Sequence, residues 1–351
     1  MGTEFRAAVL TEIGKPLEIY DLRIQSPLLV GQILVRIHSS GVCGSQLLEI
    51  AGGKGNSKYV PHLLGHEGFG EVLEVGQGVS KVCPGDFVVL HWRRSSGTDA
   101  ESPIYLGPKG GLVGSGKLAT FTSLSVVSEN RITRIGVGVD AQLASLMGCG
   151  LSTGMAAVAK QAKVSAGQSV LVLGSGGIGL SVCLAAHIQG AKPIVVVDKD
   201  ASKSVLAKSS GATDFLCMAD VGSSLDELFS QDYSFDVVFE TTGSKDLTSR
   251  SLSLTRDGGT VIQLGQSSQT EPLALGLQSQ AFGSTEGKKL IFSQGGGFEP
   301  ESDLGIFTDL ILRQAPDLWR NLIGPVKSLE EVNLLIQGLR DGVPGRPMIS
   351  F

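Results

Sequence analysis

The sequence lacks the features that mark a nucleic-acid-binding or a membrane-spanning protein. Its basic runs, such as Arg93-Arg94, are no longer than two residues and its net charge is −5, so the sequence shows no basic face for a nucleic-acid partner. Its longest uncharged stretch, residues 164–191, contains GSGGIG and is bracketed by polar residues, which favours a strand, a tight turn and a helix over a membrane span. We therefore expect neither a nucleic-acid partner nor a membrane partner.

Signals for export and for disulfide bonding are also missing. The first ten residues, MGTEFRAAVL, contain no apolar core of signal-peptide type, which predicts a cytoplasmic protein. In that compartment, the five cysteines are expected to be thiols or metal ligands rather than a disulfide framework. The 42% of apolar and 18% of charged residues are typical of a well-packed globular protein.

Apolar residues follow two different spacing patterns along the chain. At 351 residues it is longer than one hydrophobic core usually supports, which predicts two domains. Short alternating runs such as 33–40 and 70–76 are typical of an antiparallel, strand-rich domain. From about Leu151, the apolar strands SVLVLG, PIVVVD and FDVVFE alternate with helical stretches, which predicts a parallel sheet covered by helices. Near the end, 328–342 reads as an amphipathic helix with a serine cap.

A glycine-rich turn follows the first of these apolar strands. Gly174, Gly176 and Gly179 have the dinucleotide-fingerprint spacing, and Gly177 lies in the same turn. The helix that begins here would offer unpaired N–H groups to a pyrophosphate. The next strand ends in Asp198, which would accept hydrogen bonds from a ribose diol and repel a 2′-phosphate, so we predict NAD rather than NADP. The alternative is a glycine turn that binds no ligand.

Three residues from separate loops have the chemistry of a zinc site. Cys43, His66 and Cys149 could supply two thiolates and one imidazole to a tetrahedral ion, with one position open for water or substrate. Each also has a simpler interpretation, because a buried cysteine often fills apolar space and a lone histidine is more often structural. Spacing alone leaves both interpretations open. The structural role is assigned to the remaining cysteines, Cys83, Cys183 and Cys217.

The chain resembles a zinc-dependent medium-chain alcohol dehydrogenase over nearly its whole length. The motifs that carry the resemblance are GVCGSQ, GHEGFGEVLEVG, GDFVVL, LMGCGLSTG, VLGSGGIGLS, VVVDKDASK and GRPMISF. The resemblance implies an α/β protein with a GroES-like β-barrel catalytic domain, residues 1–152 and 294–351, and a Rossmann NAD-binding domain, residues 153–293. It also implies zinc held by Cys43, His66 and Cys149, with Glu67 behind the metal as a transient ligand.

The resemblance further implies roles in catalysis and in cofactor binding. Ser45 would take the proton of the alcohol. Thr153 would touch the nicotinamide and Arg346 its phosphate. Asp198 and Lys203 would flank the adenosine ribose, although Lys203 is also consistent with a solvated helix lysine.

The residues after GDFVVL bear on the substrate. By resemblance, Trp92 would narrow the substrate pocket. Its neighbours His91, Arg93 and Arg94 could recognise a carboxylate, a phosphate or a polyol, or could be surface charge.

The sequence departs from the family pattern in three places. Residues 91–121 lack the four cysteines of a structural zinc lobe, so we predict one catalytic zinc per chain and no structural zinc. Gln46 stands where an acidic residue is common, and Leu48 stands where a histidine often ends the proton relay. The proton must then leave through the ribose hydroxyl, water or Glu49.

The predicted function is hydride transfer between a small-molecule alcohol and NAD, giving an aldehyde or ketone. One alternative is a zinc-free, NADPH-dependent quinone or enone reductase of the same superfamily. The other is a catalytically inactive NAD-binding protein. The segment KKLIFSQGGG resembles an edge strand that pairs across a dimer, which predicts a homodimer or homotetramer.

Overall fold

The computed structural model describes residues 3–53, 59–218, 234–266 and 287–351. The chain divides into two compact units. Unit 1 comprises Met1–Cys149, Glu299–Thr308 and Ile323–Phe351, and unit 2 comprises Gly150–Phe298 and Asp309–Leu322. Residues 150–152, 294–298 and 309–322 thus lie in unit 2, whereas the sequence-based division assigned them to the barrel domain. For 309–322 the physical reason is packing, because the turn Leu318–Leu322 packs against helices of unit 2 and buries Trp319.

The strands and helices follow the apolar runs of the sequence and the turn residues between them. In chain order, the strands are β1 (Glu4–Leu10), β2 (Glu18–Arg23), β3 (Gln32–Gly41), β4 (His62–Leu63), β5 (Glu67–Val75), β6 (Phe87–His91), β7 (Ile104–Leu106), β8 (Leu112–Gly114), β9 (Leu124–Ser128), β10 (Ile132–Arg134), β11 (Val170–Leu173), β12 (Ile194–Asp198), β13 (Asp214–Cys217), β14 (Phe235–Glu240), β15 (Thr255–Gln263), β16 (Lys289–Phe292), β17 (Ile323–Lys327) and β18 (Arg346–Ser350). The α-helices are α1 (Gly44–Ile50), α2 (Ala141–Leu146), α3 (Gly150–Ala156), α4 (Gly177–Ile188), α5 (Ser204–Ser209), α6 (Lys245–Ser251), α7 (Pro300–Gln314) and α8 (Val332–Arg340).

Unit 1 contains a small closed barrel and a second sheet. Within the described residues, the barrel has the strand order β1-β2-β7-β8-β4. The second sheet has the order β10-β6-β5-β3-β18-β17, with β9 paired to β3. In β7, Tyr105 is buried and packs edge-on against Phe5 at 5.1 Å between ring centroids, while its neighbours Ile104 and Leu106 are exposed. This alternation fills the barrel core and confirms the predicted strand-rich domain.

Unit 2 is built on a parallel sheet. Within the described residues, its order is β13-β12-β11-β14-β15-β16, and each neighbouring pair is parallel. The central strands are apolar on successive residues, and Leu171, Val197 and Val238 are buried in one core. This confirms the predicted Rossmann-like sheet.

The predicted C-terminal helix is also present. Ser328 and Glu331 form a capping box over a short 3₁₀ turn, and α8 follows directly. Its apolar face packs on α1 and β18, which brings the C-terminal strand against the segment that carries Cys43. Among the described residues, no helix combines the length and the apolar composition needed to cross a membrane.

The loop between β6 and β7 is organised by the buried side chain of Glu129. Its carboxylate accepts hydrogen bonds from the backbone N–H groups of Ser80 (2.6 Å), Lys81 (3.0 Å) and Thr98 (2.7 Å). Burial alone would raise the pKa of Glu129, but the hydrogen bonds from Ser80 and Thr98 outweigh it and lower the pKa to about 2. One carboxylate therefore joins two loops that are distant in sequence.

Candidate functional site

Three loops of unit 1 bring candidate metal ligands together. Cys43 precedes α1, His66 precedes β5, and Cys149 follows α2. One ligand atom from each lies within 4.8 Å of the other two, and this is the cluster that could hold a metal ion among the described residues. Two sulfurs and one imidazole nitrogen at this separation fit zinc, whose ligand bonds are about 2.0–2.3 Å long. That these residues hold zinc remains a prediction.

The two thiols of the cluster have different acidities. A hydrogen bond from Cys149 and the charge of Arg346 hold the pKa of Cys43 well below its ordinary value, although burial opposes them. The same hydrogen bond, together with burial, raises the pKa of Cys149. These shifts favour a thiolate at Cys43 before any metal binds. A bound cation would then displace the proton of the Cys149 thiol.

A buried ion pair lies beside the cluster. The first residue of β5, Glu67, is fully buried, and Arg346, the first residue of β18, donates to it through Nε at 2.6 Å. Gly41 and Gly148 make room for this carboxylate, because a Cβ atom at either position would overlap the Glu67 side chain. The Arg346 atom Nη2 is also buried, and it has no hydrogen-bond partner within the described part of the chain.

The first turn of α1 carries two further polar residues of the site. The Ser45 Oγ atom is buried and has no hydrogen-bond partner among the described residues. Gln46 accepts from the Cys43 N–H at 2.8 Å, and its Nε2 lies 2.6 Å from His66 Nδ1. The sequence identified Gln46 only as a departure from the family pattern and did not predict this contact with a candidate ligand. Further along α1, Glu49 lies 3.5 Å from His62 Nε2.

The residues predicted to line the substrate pocket differ in burial. His91 is fully buried, with Nδ1 at 2.7 Å from the Arg93 carbonyl and Nε2 at 3.0 Å from Thr133 Oγ1. Burial lowers the pKa of His91 to about 3, so the ring is neutral at physiological pH. Both ring nitrogens of His91 are engaged by protein groups, so this environment gives no support to the prediction that His91 recognises an anionic substrate. Trp92 and Arg93 are half-buried, with the guanidinium 6.0 Å from the indole centroid.

The glycine turn of unit 2 has the geometry expected of a phosphate-binding turn. Gly174 has φ +96°, and Gly179 packs so closely that a Cβ atom would overlap the Gly174 carbonyl. Gly176 is the N-cap of α4, whose first residue is Gly177. Thr153 lies buried in α3 of the same unit. These positions are compatible with the predicted turn, and ligand binding by them remains a prediction.

Asp198 ends β12 and is tied to the glycine turn. It accepts hydrogen bonds from the Ser175 N–H (2.8 Å) and Oγ–H (2.7 Å), and Lys203 Nζ lies 3.6 Å away. Burial alone would raise the pKa of Asp198, but Ser175 and Lys203 outweigh it and lower the pKa. Sequence reasoning missed Ser175, as well as Thr241, whose hydroxyl donates to the Leu173 carbonyl at 2.9 Å. The only signal was their position beside the carboxyl ends of strands.

Known protein families match most of the two units. The model of an alcohol dehydrogenase GroES-like domain matches residues 30–137, and that of a zinc-binding dehydrogenase matches residues 177–300. A solved structure of an alcohol dehydrogenase zinc-binding domain protein from Burkholderia ambifaria superposes with a TM-score of 0.88 at 24% identity, over 100% of both chains.

Two similar relatives are named S-(hydroxymethyl)glutathione dehydrogenase. The one from Photobacterium damsela subsp. piscicida is 33% identical over 268 residues, covering 68% of this chain and 71% of the relative. The one from Synechocystis sp. is 28% identical over 99% of both chains. The sequence resemblance is thus confirmed, and the chain belongs to the zinc-binding alcohol dehydrogenases of the medium-chain dehydrogenase/reductase superfamily, a family of oxidoreductases.

Proposed function

We propose that the protein transfers hydride between an alcohol and NAD, giving an aldehyde or ketone, with one catalytic zinc ion per chain. The observation that carries this proposal is the convergence of Cys43, His66 and Cys149 within 4.8 Å. Such a set binds zinc and leaves one tetrahedral position for the substrate. Bound there, zinc would act as a Lewis acid and lower the pKa of the alcohol hydroxyl. The zinc-free reductases of the superfamily usually lack this pair of cysteines, so the alternative is not favoured.

The residues around the cluster suggest how the proton and the charge are handled. Ser45 would accept the alcohol proton through Oγ, which has no other partner within the described residues. Leu48 has no group that can carry a proton. The proton would therefore leave from Ser45 through the ribose hydroxyl, water or Glu49. Glu67 and Arg346 form a buried ion pair beside the ligands, and by family resemblance Arg346 would contact a phosphate of the cofactor.

The cofactor would be bound by the glycine turn of unit 2. Gly174, Gly176, Gly177 and Gly179 let backbone N–H groups at the start of α4 approach a pyrophosphate. Asp198 and Lys203 would lie at the adenosine ribose, and Thr153 at the nicotinamide by family resemblance. The ionised Asp198 supports NAD, because its charge repels a 2′-phosphate.

Asp198→Asn is expected to lower the ratio of kcat/KM with NAD to that with NADP about tenfold or more, because removing one like charge relieves a repulsion of more than ~1.4 kcal/mol. Asparagine keeps an acceptor for Ser175, so the turn should persist. The measurement is alcohol-dependent reduction of both cofactors across a panel of alcohols, alongside a zinc count. Asp214→Asn is the control, because Asp214 begins the neighbouring strand β13 and lies at its amino end. If no alcohol supports reduction of either cofactor, the proposed function is lost.

We also propose that the substrate is anionic. Arg93 and Arg94 follow β6 in sequence, and Arg94 is exposed. Guanidinium groups bind carboxylates in a bidentate way. The relatives described above are named for a glutathione adduct, which carries carboxylates, and this supports the same class of substrate.

Arg93→Ala is expected to lower kcat/KM for S-(hydroxymethyl)glutathione about tenfold or more, as one charge-assisted hydrogen bond is worth about 1.5–3 kcal/mol. A plain primary alcohol should be oxidised at an unchanged rate by the same variant. The ratio of the two values is therefore the measurement. An unchanged ratio would show that Arg93 does not select anionic substrates. Arg134→Ala removes an exposed arginine of unit 1 that pairs with Asp86, and it serves as the matched control.

The edge strand β16 supports the proposal of a homodimer or homotetramer. It is the last strand of the described sheet, and Phe292 on it is exposed. An exposed strand edge with an apolar side chain is a surface that can pair with a second copy.

A further inference from the structure

The side chain of Gln46 contacts two groups of the candidate metal cluster at once. Its side chain is 1% exposed, so water does not compete for it. Its Oε1 accepts the Cys43 backbone N–H at 2.8 Å, and its Nε2 lies 2.6 Å from His66 Nδ1. One carboxamide therefore bridges two of the three candidate ligands.

The orientation of this amide is fixed by its partner on the backbone. The Cys43 N–H can only donate, so the oxygen of Gln46 must face it. The NH₂ group then faces His66 Nδ1, and a donor at this distance requires a lone pair on that nitrogen. In the neutral ring, the proton of His66 consequently lies on Nε2, the nitrogen that is left for the cluster.

A metal ion needs the opposite arrangement. To bind a cation through Nε2, the neutral imidazole must carry its proton on Nδ1. The Nδ1–H of His66 and the N–H of Cys43 would then both donate toward Gln46, which has only one acceptor oxygen. A carboxylate at this position would accept from both groups, one through each oxygen.

We propose that Gln46 is a positioning residue that holds His66 in the tautomer unable to bind the metal, and that its amide must turn when zinc binds. The consequence is a site that holds zinc more weakly than the same site with a carboxylate. This inference rests on the proposed function, since the same three side chains must hold the ion. It assigns to Gln46 a role in setting metal affinity that is distinct from the chemistry of the substrate.

The tautomer can be measured directly on the metal-free protein. ¹⁵N NMR of the imidazole nitrogens separates the Nε2–H from the Nδ1–H form, and the His66 signals are identified by their loss in His66→Asn. Wild type is expected to show the Nε2–H form, and Gln46→Glu the Nδ1–H form. An Nδ1–H form in wild type would overturn the inference without any variant being needed.

Zinc affinity supplies the second readout, measured by competition with a chelator of known affinity. Gln46→Glu is expected to bind zinc about tenfold or more tightly than wild type, in line with the 10–100-fold effects of residues that orient metal ligands. Glu49→Gln, which changes the charge of α1 by one unit, is the matched control and should change affinity much less. Equal affinities of wild type and Gln46→Glu, or an equally large effect of Glu49→Gln, would overturn the inference. If neither wild type nor Gln46→Glu binds zinc, the proposed function itself fails.

Discussion

Cys149→Ser is expected to abolish zinc binding and to lower kcat/KM for alcohol oxidation about a thousandfold or more. A serine hydroxyl is not ionised at neutral pH and does not replace a thiolate as a zinc ligand, so two of the three ligands remain. A catalytic metal contributes several kcal/mol to the transition state, and each ~1.4 kcal/mol is a factor of ten in rate. The measurements are zinc per chain and alcohol-dependent reduction of NAD.

The control for this experiment is another cysteine of the same unit. Cys83 is exposed and lies outside the cluster, so Cys83→Ser should keep both the metal and the activity. A Cys149→Ser protein with full zinc content and wild-type activity would contradict the proposed site. Comparable losses in both variants would point to a general effect of thiol replacement.

Glu67→Gln is expected to reduce the free energy of unfolding of unit 1 by about 3–5 kcal/mol, the usual effect of removing one partner from a buried ion pair. The Glu67 carboxylate is fully buried, and the amide would take from Arg346 its directly paired charge, leaving only the thiolate of the cluster to compensate it. Urea unfolding of chelator-treated protein measures this loss without a contribution from metal binding. With Trp319→Phe in every variant, the fluorescence of Trp92 reports on unit 1.

A surface pair on the same strand provides the comparison. Glu71 of β5 pairs with Arg36 at 2.9 Å, and both side chains are partly exposed. Glu71→Gln should cost less than ~1 kcal/mol, because solvent screens such pairs. The double variant Glu67→Gln/Arg346→Met should recover part of the loss, since it also removes the buried charge whose carboxylate partner was lost. If Glu67→Gln and Glu71→Gln lower the free energy of unfolding equally, the buried pair contributes no more to stability than the surface pair.

The local parts of the structure could be predicted from the sequence. The strands around 170–173 and 194–198 are nearly continuous apolar runs, and the glycine turn with Asp198 is a short-range pattern with a known geometry. The capping box of Ser328 and Glu331 is likewise encoded within four residues. In each case, the neighbours that determine the structure are also neighbours in sequence.

The long-range parts of the site could not be predicted in this way. Spacing left Cys43, His66 and Cys149 open between a metal site and core packing, and family resemblance was needed to select among these interpretations. The burial of His91 was not predicted, because its contact with Thr133 comes from another strand, β10. The contacts of Ser175, which donates to Asp198, and of Glu129, which accepts from two loops, were missed because such polar side chains leave no periodic signal. Such contacts depend on tertiary packing, which a local pattern does not record.

The contact that Glu129 makes between the loops at 80–81 and 98 consists of hydrogen bonds from backbone N–H groups and from the Ser80 hydroxyl to one carboxylate. It contains no sulfur and no metal ion, so it offers no target to a thiol oxidant or to a chelator. The strength of these hydrogen bonds instead depends on pH, because protonation removes the negative charge of the Glu129 carboxylate. Because the pKa is about 2 in the folded chain against an ordinary 4.5, the contact is at full strength at neutral pH and weakens as the pH falls from 4.5 toward 2. The contact between these two loops is therefore expected to weaken in acid, and not on treatment with an oxidant or a chelator.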